Sequence, residues 1–244
     1  MMLDSHVHQG RVREHGEVDT SQPHYFAVAD GVSSGTLPRT ASRRLLELLQ
    51  TRLATASATV SLSALLHQVQ HDYVALSATR TDCFGMASTL VGVRLVGKSA
   101  TIFNVGDSRA YLLTGGGSKP HAHLLSRDHS FLNELIDDGE ITKAQSETAA
   151  SFMRGLTSHF IADPEFDGFK VNIVNHEMQV GERLLLCSDG LNEVLSDTQI
   201  AHLLAGHSAD DLLKACKASR RAGGRDDFSV IVLEPSDCFF RVTK

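Results

Sequence analysis

The sequence predicts an α+β layered domain, and three features carry that reading. Apolar, β-prone runs come in groups separated by turn signals, helix-period segments come in adjacent pairs, and the two do not alternate strictly as a βαβ chain requires. A length of 244 residues supplies one sizeable core, and no Pro-, Gly- or Ser-rich linker divides it, so a single domain over residues 1–244 is expected.

Residues 24–30, HYFAVAD, form an apolar run that stops at Gly31 and so read as a buried strand emptying into a loop. After Pro38, TASRRLLELLQTRLA carries apolar residues at helical spacing, and SLSALLHQVQHDYVAL repeats the pattern. Two amphipathic helices should therefore pack side by side on a sheet. From residue 87 to 113 the texture turns to β, with STLVGVRLV, a turn at Gly97-Lys98, ATIFNV, then Gly106-Asp107 and RAYLL, which reads as an antiparallel meander. Residues 130–153 return to helical character around Gly139. Strands are expected at 169–174 and 182–187, short helices at 198–204 and 210–221, and a last strand in FSVIVLE.

Composition narrows the function. A 42% hydrophobic and 21% charged chain is that of a folded globular protein, and a formal charge of −6 with no long basic block makes nucleic acid and anionic membranes poor partners. No apolar run reaches the roughly 20 residues of a membrane span, and MMLDSHVHQG lacks a basic and apolar leader pattern, so a cytoplasmic location is expected. The four cysteines, Cys83, Cys187, Cys216 and Cys238, form no C-x-x-C pair and read as reduced thiols.

Three aspartates share one context, each beside glycine at the edge of an apolar β segment: Asp30 in VADG, Asp189 in LLLCSDG and Asp226 in GGRDDFSVIV. One Asp-Gly pair alone is more often a turn. Three together suggest carboxylates held rigidly at strand ends, which repel one another unless a hard, oxygen-ligated cation neutralises them. Asp107, in NVGDSRAYL, adds a fourth acid between two β segments.

Seven ordered segments, GRVREHGE, FAVADGVSSG, GMASTLVGV, FNVGDSRAYLL, LLSRDHSFLNELIDDGEIT, RLLLCSDGLNEVLSD and GGRDDFSVIVLE, resemble the metal-dependent protein phosphatases of the PPM, or type-2C, family in its bacterial form. The resemblance covers nearly the whole chain. It implies a four-layer α-β-β-α sandwich with two central antiparallel sheets, and one phosphatase domain with a flap at about residues 130–163. It further implies hydrolysis of phosphoserine and phosphothreonine by a hydroxide bridging two Mn²⁺ or Mg²⁺ ions. Carried over by position, Asp30 bridges the two ions, the Gly31 carbonyl joins the second, and Asp189 and Asp226 hold the first. Glu17 acts through water, Arg13 grips the phosphate, and Asp107 with Glu193 are candidates for a third, weaker ion. Phosphoproteins are the implied substrates of a monomer, with a cognate kinase as a further candidate partner.

The chain departs from the family in three places. The usual Asn-Glu-Asp is Gly16-Glu17-Val18, leaving Asp19 as a substitute acid. Val32, Ser33, Ser34 and Gly35 replace the common glycine pair and histidine, so the general acid of some members is absent there, and leaving-group protonation falls to metal-bound water or is not needed for activated aryl substrates. Glu193 stands where Asp is common. Val18 also motivates a rival reading as a phosphoprotein-binding pseudophosphatase, which retention of Asp30, Asp189, Asp226 and Arg13 opposes. Gly92 to Ser99 match the Walker A pattern by letter, but β-branched residues and a continuing strand make them a hairpin. The pair His6 and His8 resembles an amidohydrolase metal motif, yet the strands do not alternate with helices as a (β/α)₈ barrel demands, and both read as ordinary strand or surface histidines.

Overall fold

The structure is a computed structural model that describes residues 1–3, 6–8, 15–57, 60–115, 119–146, 153, 155–205, 209–223, 229–235 and 240–243. In chain order the strands are β1 (Met2–Leu3), β2 (His6–Val7), β3 (His15–Val18), β4 (His24–Gly31), β5 (Ala87–Val96), β6 (Ser99–Val105), β7 (Arg109–Thr114), β8 (His121–Leu124), β9 (Phe160–Ile161), β10 (Asn172–Glu177), β11 (Arg183–Cys187), β12 (Val230–Pro235) and β13 (Phe240–Thr243). The helices are α1 (Pro38–Thr55), α2 (Leu62–Thr79), α3 (Phe131–Asp137), α4 (Lys143–Ser146), α5 (Asp189–Asn192), α6 (Asp197–Leu203) and α7 (Ala209–Arg221).

Two antiparallel sheets result. The first has the order β10-β6-β5-β4-β1-β2 with β9 added against the start of β5, and the second has the order β3-β13-β12-β11-β7-β8. Period-2 alternation explains why they stack. Phe26 and Val28 of β4, Val91, Val93 and Leu95 of β5, Leu184 and Leu186 of β11, and Ile231 and Leu233 of β12 all enter one buried cluster between the sheets. The intervening residues face outward. Ala27, Ala29, Leu90 and Phe103 meet Leu45, Leu49, Leu66, Val69 and Tyr73 of α1 and α2, whereas Tyr111, Leu185, Cys187 and Val232 meet Leu191, Ile200 and Ala215 of α5 to α7. Both faces of the central strands are thus apolar, and the layers run α-β-β-α as the resemblance implies.

Helix starts follow their sequence signals. Ser61 Oγ accepts the Ala64 N–H at 3.2 Å to cap α2, and Ser196 with Gln199 forms a reciprocal capping box on α6. The hairpin at Gly97-Lys98 forms as expected, with Gly97 at φ +56° and Val96 opposite Ser99, which leaves no helix for a P-loop to open.

Three expectations need correction. The meander over residues 87–113 exists only as the β5–β6 hairpin. At Gly106 (φ +99°) the chain leaves the first sheet, and β7 pairs with β11 and β8 of the second. Since both faces of β7 are buried, its apolar pattern carries no information about which sheet it joins. The strand expected at 169–174 begins at Asn172, because the Phe169 ring turns onto Phe160 with centroids 4.9 Å apart and joins the core under α1 and α2. Strands β1 to β3, β8, β9 and β13 have no counterpart among the expected elements, being runs of two to four residues that show no periodicity.

Gly92, in the middle of β5, is closely packed. A Cβ there would lie 2.4 Å from the Phe103 ring and 2.9 Å from the Phe26 carbonyl. Gly92→Ala should therefore cost about 1–3 kcal/mol. Urea denaturation checks this, and an unchanged midpoint would contradict the packing.

Candidate active site

Strand register brings the acids together. Asp30 is opposite Thr89 near the end of β4, and Gly31 is opposite Ser88. Leu90 is opposite Val105, so β6 ends at the same edge, and Asp107 follows two residues later. In the second sheet Arg109 at the start of β7 faces Cys187 at the end of β11, which also faces Val230 at the start of β12. Asp189 is two residues past that point, in the first turn of α5. The crossover Gly106-Asp107-Ser108 joins these two sheet ends.

Neutral groups fix the backbone around Asp30. Ser88 Oγ donates to the Asp30 carbonyl at 2.8 Å, and Thr89 Oγ1 lies 2.7 Å from Ser108 Oγ, a buried bond that ties one sheet to the other at this edge. Gly31 is held at a place where a Cβ would lie 1.9 Å from the Pro38 carbonyl, so only glycine lets α1 begin against this loop. Ser188 donates its N–H to the Ser229 carbonyl at 3.1 Å and accepts the Ser229 N–H on Oγ at 3.1 Å, fixing the ends of β11 and β12 side by side.

The electrostatics are those of a crowded anionic site. Asp107 is pushed up to about 7, first by burial and then by the negative charges of Asp189 and Asp128. Asp128 is itself compensated. Arg109 Nε and Nη2 reach its carboxylate at 3.0 and 2.6 Å, while Nη1 donates to Tyr111 Oη at 3.0 Å. Burial works against the guanidinium charge, but the bonds to Asp128 outweigh it, and the pKa of Arg109 is raised. Sequence reasoning assigns no role to Asp128 or Arg109, although both stand in the motifs that resemble the family. The available signal for Arg109 is a charge that opens an apolar strand, whereas Asp128, four residues past the end of β8, offers none.

The remaining expected residues lie elsewhere or outside the described residues. Arg13 and Asp226 belong to the latter group. Glu17 is exposed on β3, opposite Arg241 of β13 and 3.5 Å from its Nε. Val18, where the family carries an acid, packs against the core between the sheets. Asp19 Oδ1 accepts the Ser21 N–H at 2.9 Å and so caps a turn. Glu193 closes α5, donating its N–H to the Asp189 carbonyl at 2.8 Å. His6, exposed on β2, and His8 have ring centroids 6.4 Å apart. Among the described residues no three acid, histidine or cysteine side chains gather closely enough to hold a metal by themselves.

A sandwich of this layering, with acid-bearing strand ends at one edge of both sheets, is the fold of the 2C-type protein phosphatases. The family model described as Protein phosphatase 2C matches residues 4–220, and the chain belongs to that family. The chain is 29% identical to the serine/threonine phosphatase stp of Listeria monocytogenes over 256 residues, covering 96% of each. It is 30% identical to the serine/threonine protein phosphatase PstP of Mycobacterium tuberculosis over 160 residues, which is 64% of this chain and 29% of that relative's length. Among solved structures, the serine/threonine phosphatase Stp1 of Staphylococcus aureus superposes with a TM-score of 0.73 at 20% identity, covering 99% of this chain and 92% of the other. The catalytic domain of PstP in complex with two manganese ions gives 0.65 at 22% identity, covering 100% and 96%.

The raised pKa of Asp107 has a stability consequence of definite sign. A carboxyl whose folded pKa is about 7, against an ordinary 3.8, favours the folded state fully only below the unfolded value, and that contribution is lost as pH rises through 7. Asp107→Asn should therefore raise the melting temperature of the metal-free protein at pH 8, with the gain vanishing near pH 4. Melting in EDTA across this range is the check, and parallel curves for parent and variant would contradict it.

Proposed function

We propose that this chain is a protein serine/threonine phosphatase that hydrolyses phosphoserine and phosphothreonine with two divalent cations, Mn²⁺ or Mg²⁺. The observation that carries the reading is the strand register that sets the chain segments bearing Asp30, Asp107 and Asp189 at one edge of both sheets, where burial and then the charges of Asp189 and Asp128 push the Asp107 pKa up to about 7. Carboxylates and a glycine carbonyl are hard oxygen donors, and they suit these ions better than zinc.

In this reading Asp30 would serve both cations, the Gly31 carbonyl would serve one of them, and Asp189 and Asp226 would hold the other. Glu17 contributes through water, and Asp107 with Glu193 forms a weaker third position. Cations bound there would supply a hydroxide nucleophile by lowering the pKa of water and would offset charge on the phosphoryl oxygens. The protein's own part is placement. Ser88 and Thr89 fix the Asp30 backbone, and Arg13 meets the phosphate with a planar, bidentate fork.

Neither Cys83 nor Cys187 suits a covalent route. Cys83 and Cys187 are buried, and burial pushes the Cys187 thiol up to about 12, far from the thiolate a nucleophile needs. Residues 1–244 act as one domain, with 130–163 as a flap that contributes to substrate choice. Substrates are phosphoproteins, and a cognate kinase opposes the activity. No helix among the described residues is long and apolar enough to cross a membrane, and we place the activity in the cytoplasm, acting as a monomer.

Hydrolysis of a phosphothreonine peptide should require added Mn²⁺ or Mg²⁺ and cease in EDTA. Asp30→Asn should lower kcat by about a thousandfold or more while the fold survives. Full turnover in chelator, or near-normal turnover of Asp30→Asn with metal present, would overturn the reading.

A further inference from the structure

The crossover that carries Asp107 is fastened chiefly by His129, with Asn104 Nδ2 a second, longer donor to the Gly106 carbonyl at 3.4 Å. The His129 N–H donates to the Gly106 carbonyl at 3.0 Å, and its ring Nδ1 accepts the Gly106 N–H at 3.1 Å, so both backbone groups of the residue before Asp107 bind the same partner. Gly106 needs that support. It sits at φ +99°, and a Cβ there would lie 2.7 Å from the Thr89 side chain, so the turn is tight against the strand opposite Asp30.

His129 also faces the other way. Its carbonyl accepts the Thr157 N–H at 3.0 Å, Ser130 bridges Leu156, and Phe131 donates its N–H to the Gly155 carbonyl at 3.1 Å. These contacts join the two chain segments at the base of residues 130–163. Asn133 Nδ2 donates to the Asp128 carbonyl at 3.0 Å, and Lys170 Nζ bonds Glu134 at 2.8 Å, so α3 is tied to the same base. Because Nδ1 accepts, the ring is neutral with its proton on Nε2. Burial and the nearby Lys170 charge hold its pKa down, which is consistent with that tautomer.

We propose that His129 is a positioning residue, whose Nδ1 and backbone hold the Asp107-bearing crossover in register with the base of the flap. The inference rests on the phosphatase reading above. It assigns the work to an acceptor at Nδ1 and none to the Nε2 proton, a distinction that substitution can resolve. Asparagine places its Oδ1 close to where Nδ1 stands, whereas glutamine reaches only the Nε2 position.

His129→Asn should keep kcat/KM on a phosphothreonine peptide within about threefold of the parent. His129→Gln should lower kcat about a hundredfold at saturating Mn²⁺, as a small displacement at a reacting centre does, with peptide KM little changed. The Gly106 amide provides a readout independent of turnover. Its hydrogen exchange should stay slow in parent and His129→Asn and accelerate about a hundredfold in His129→Gln, with both variants folded by circular dichroism. If His129→Asn is as impaired as His129→Gln, or if both match the parent in turnover and exchange, the assignment is wrong. A parent protein inactive on both peptide and aryl phosphate would overturn the phosphatase reading, and this inference with it. With an active parent, failure of the variants to behave as stated overturns the role of His129 alone.

Discussion

The passage of the chain from one sheet to the other at Gly106-Asp107-Ser108 is the constraint on which the rest of this structure depends. It is the point where the end of β6 is joined to the start of β7, and it fixes which ends of the two sheets coincide. Since β4 and β11 both finish at that edge, their acids arrive there without any loop having to reach for them. The buried bond between Thr89 and Ser108 then holds the two sheets to each other at this level. Short side chains at strand ends have few rotamers to lose, which is why aspartate serves better than a longer acid for a rigid donor.

Such a site works against the stability of the protein that carries it. Asp107 is desolvated beside Asp189 and Asp128, and nothing in the apolar core offsets that cost locally. Compensation is partial and comes from Arg109, which neutralises Asp128 and is anchored in turn by Tyr111. The remaining negative charge is what a divalent ion would remove. Strain of this kind, tolerated at one edge and supported by a well-packed sandwich elsewhere, is the expected signature of a functional site.

Much of this is legible in the sequence, and the reasons differ from residue to residue. Asp30 and Asp189 stand out because each ends a long apolar run at glycine, a pattern that survives without knowledge of pairing. The helices α1, α2, α6 and α7 are legible because apolar residues recur at helical spacing over one or more turns. The second sheet is not, because Ala110, Tyr111, Leu112 and Leu113 are all buried and a strand apolar on both faces fits either sheet equally well. Strands β3 and β13 are short, and their pairing depends on contacts between distant parts of the chain, as between His15 and Thr243. Asp128, Arg109 and His129 are hidden for a different reason: their importance lies in hydrogen bonds between segments about twenty residues apart, Arg109 to Asp128 and Gly106 to His129, which no local pattern encodes.

If the acids gathered at this edge exist to hold divalent cations, metal binding must be saturable and coupled to protons. Isothermal titration of Mn²⁺ into the metal-free protein at pH 7.5, repeated in buffers of different ionisation enthalpy, tests this most directly. Two bound ions per chain with net proton release are expected, because a cation on Asp189 cancels part of the negative charge that lets its neighbour Asp107 keep a proton. Absence of saturable binding, or binding that takes up no more than one ion and releases no proton, would contradict it.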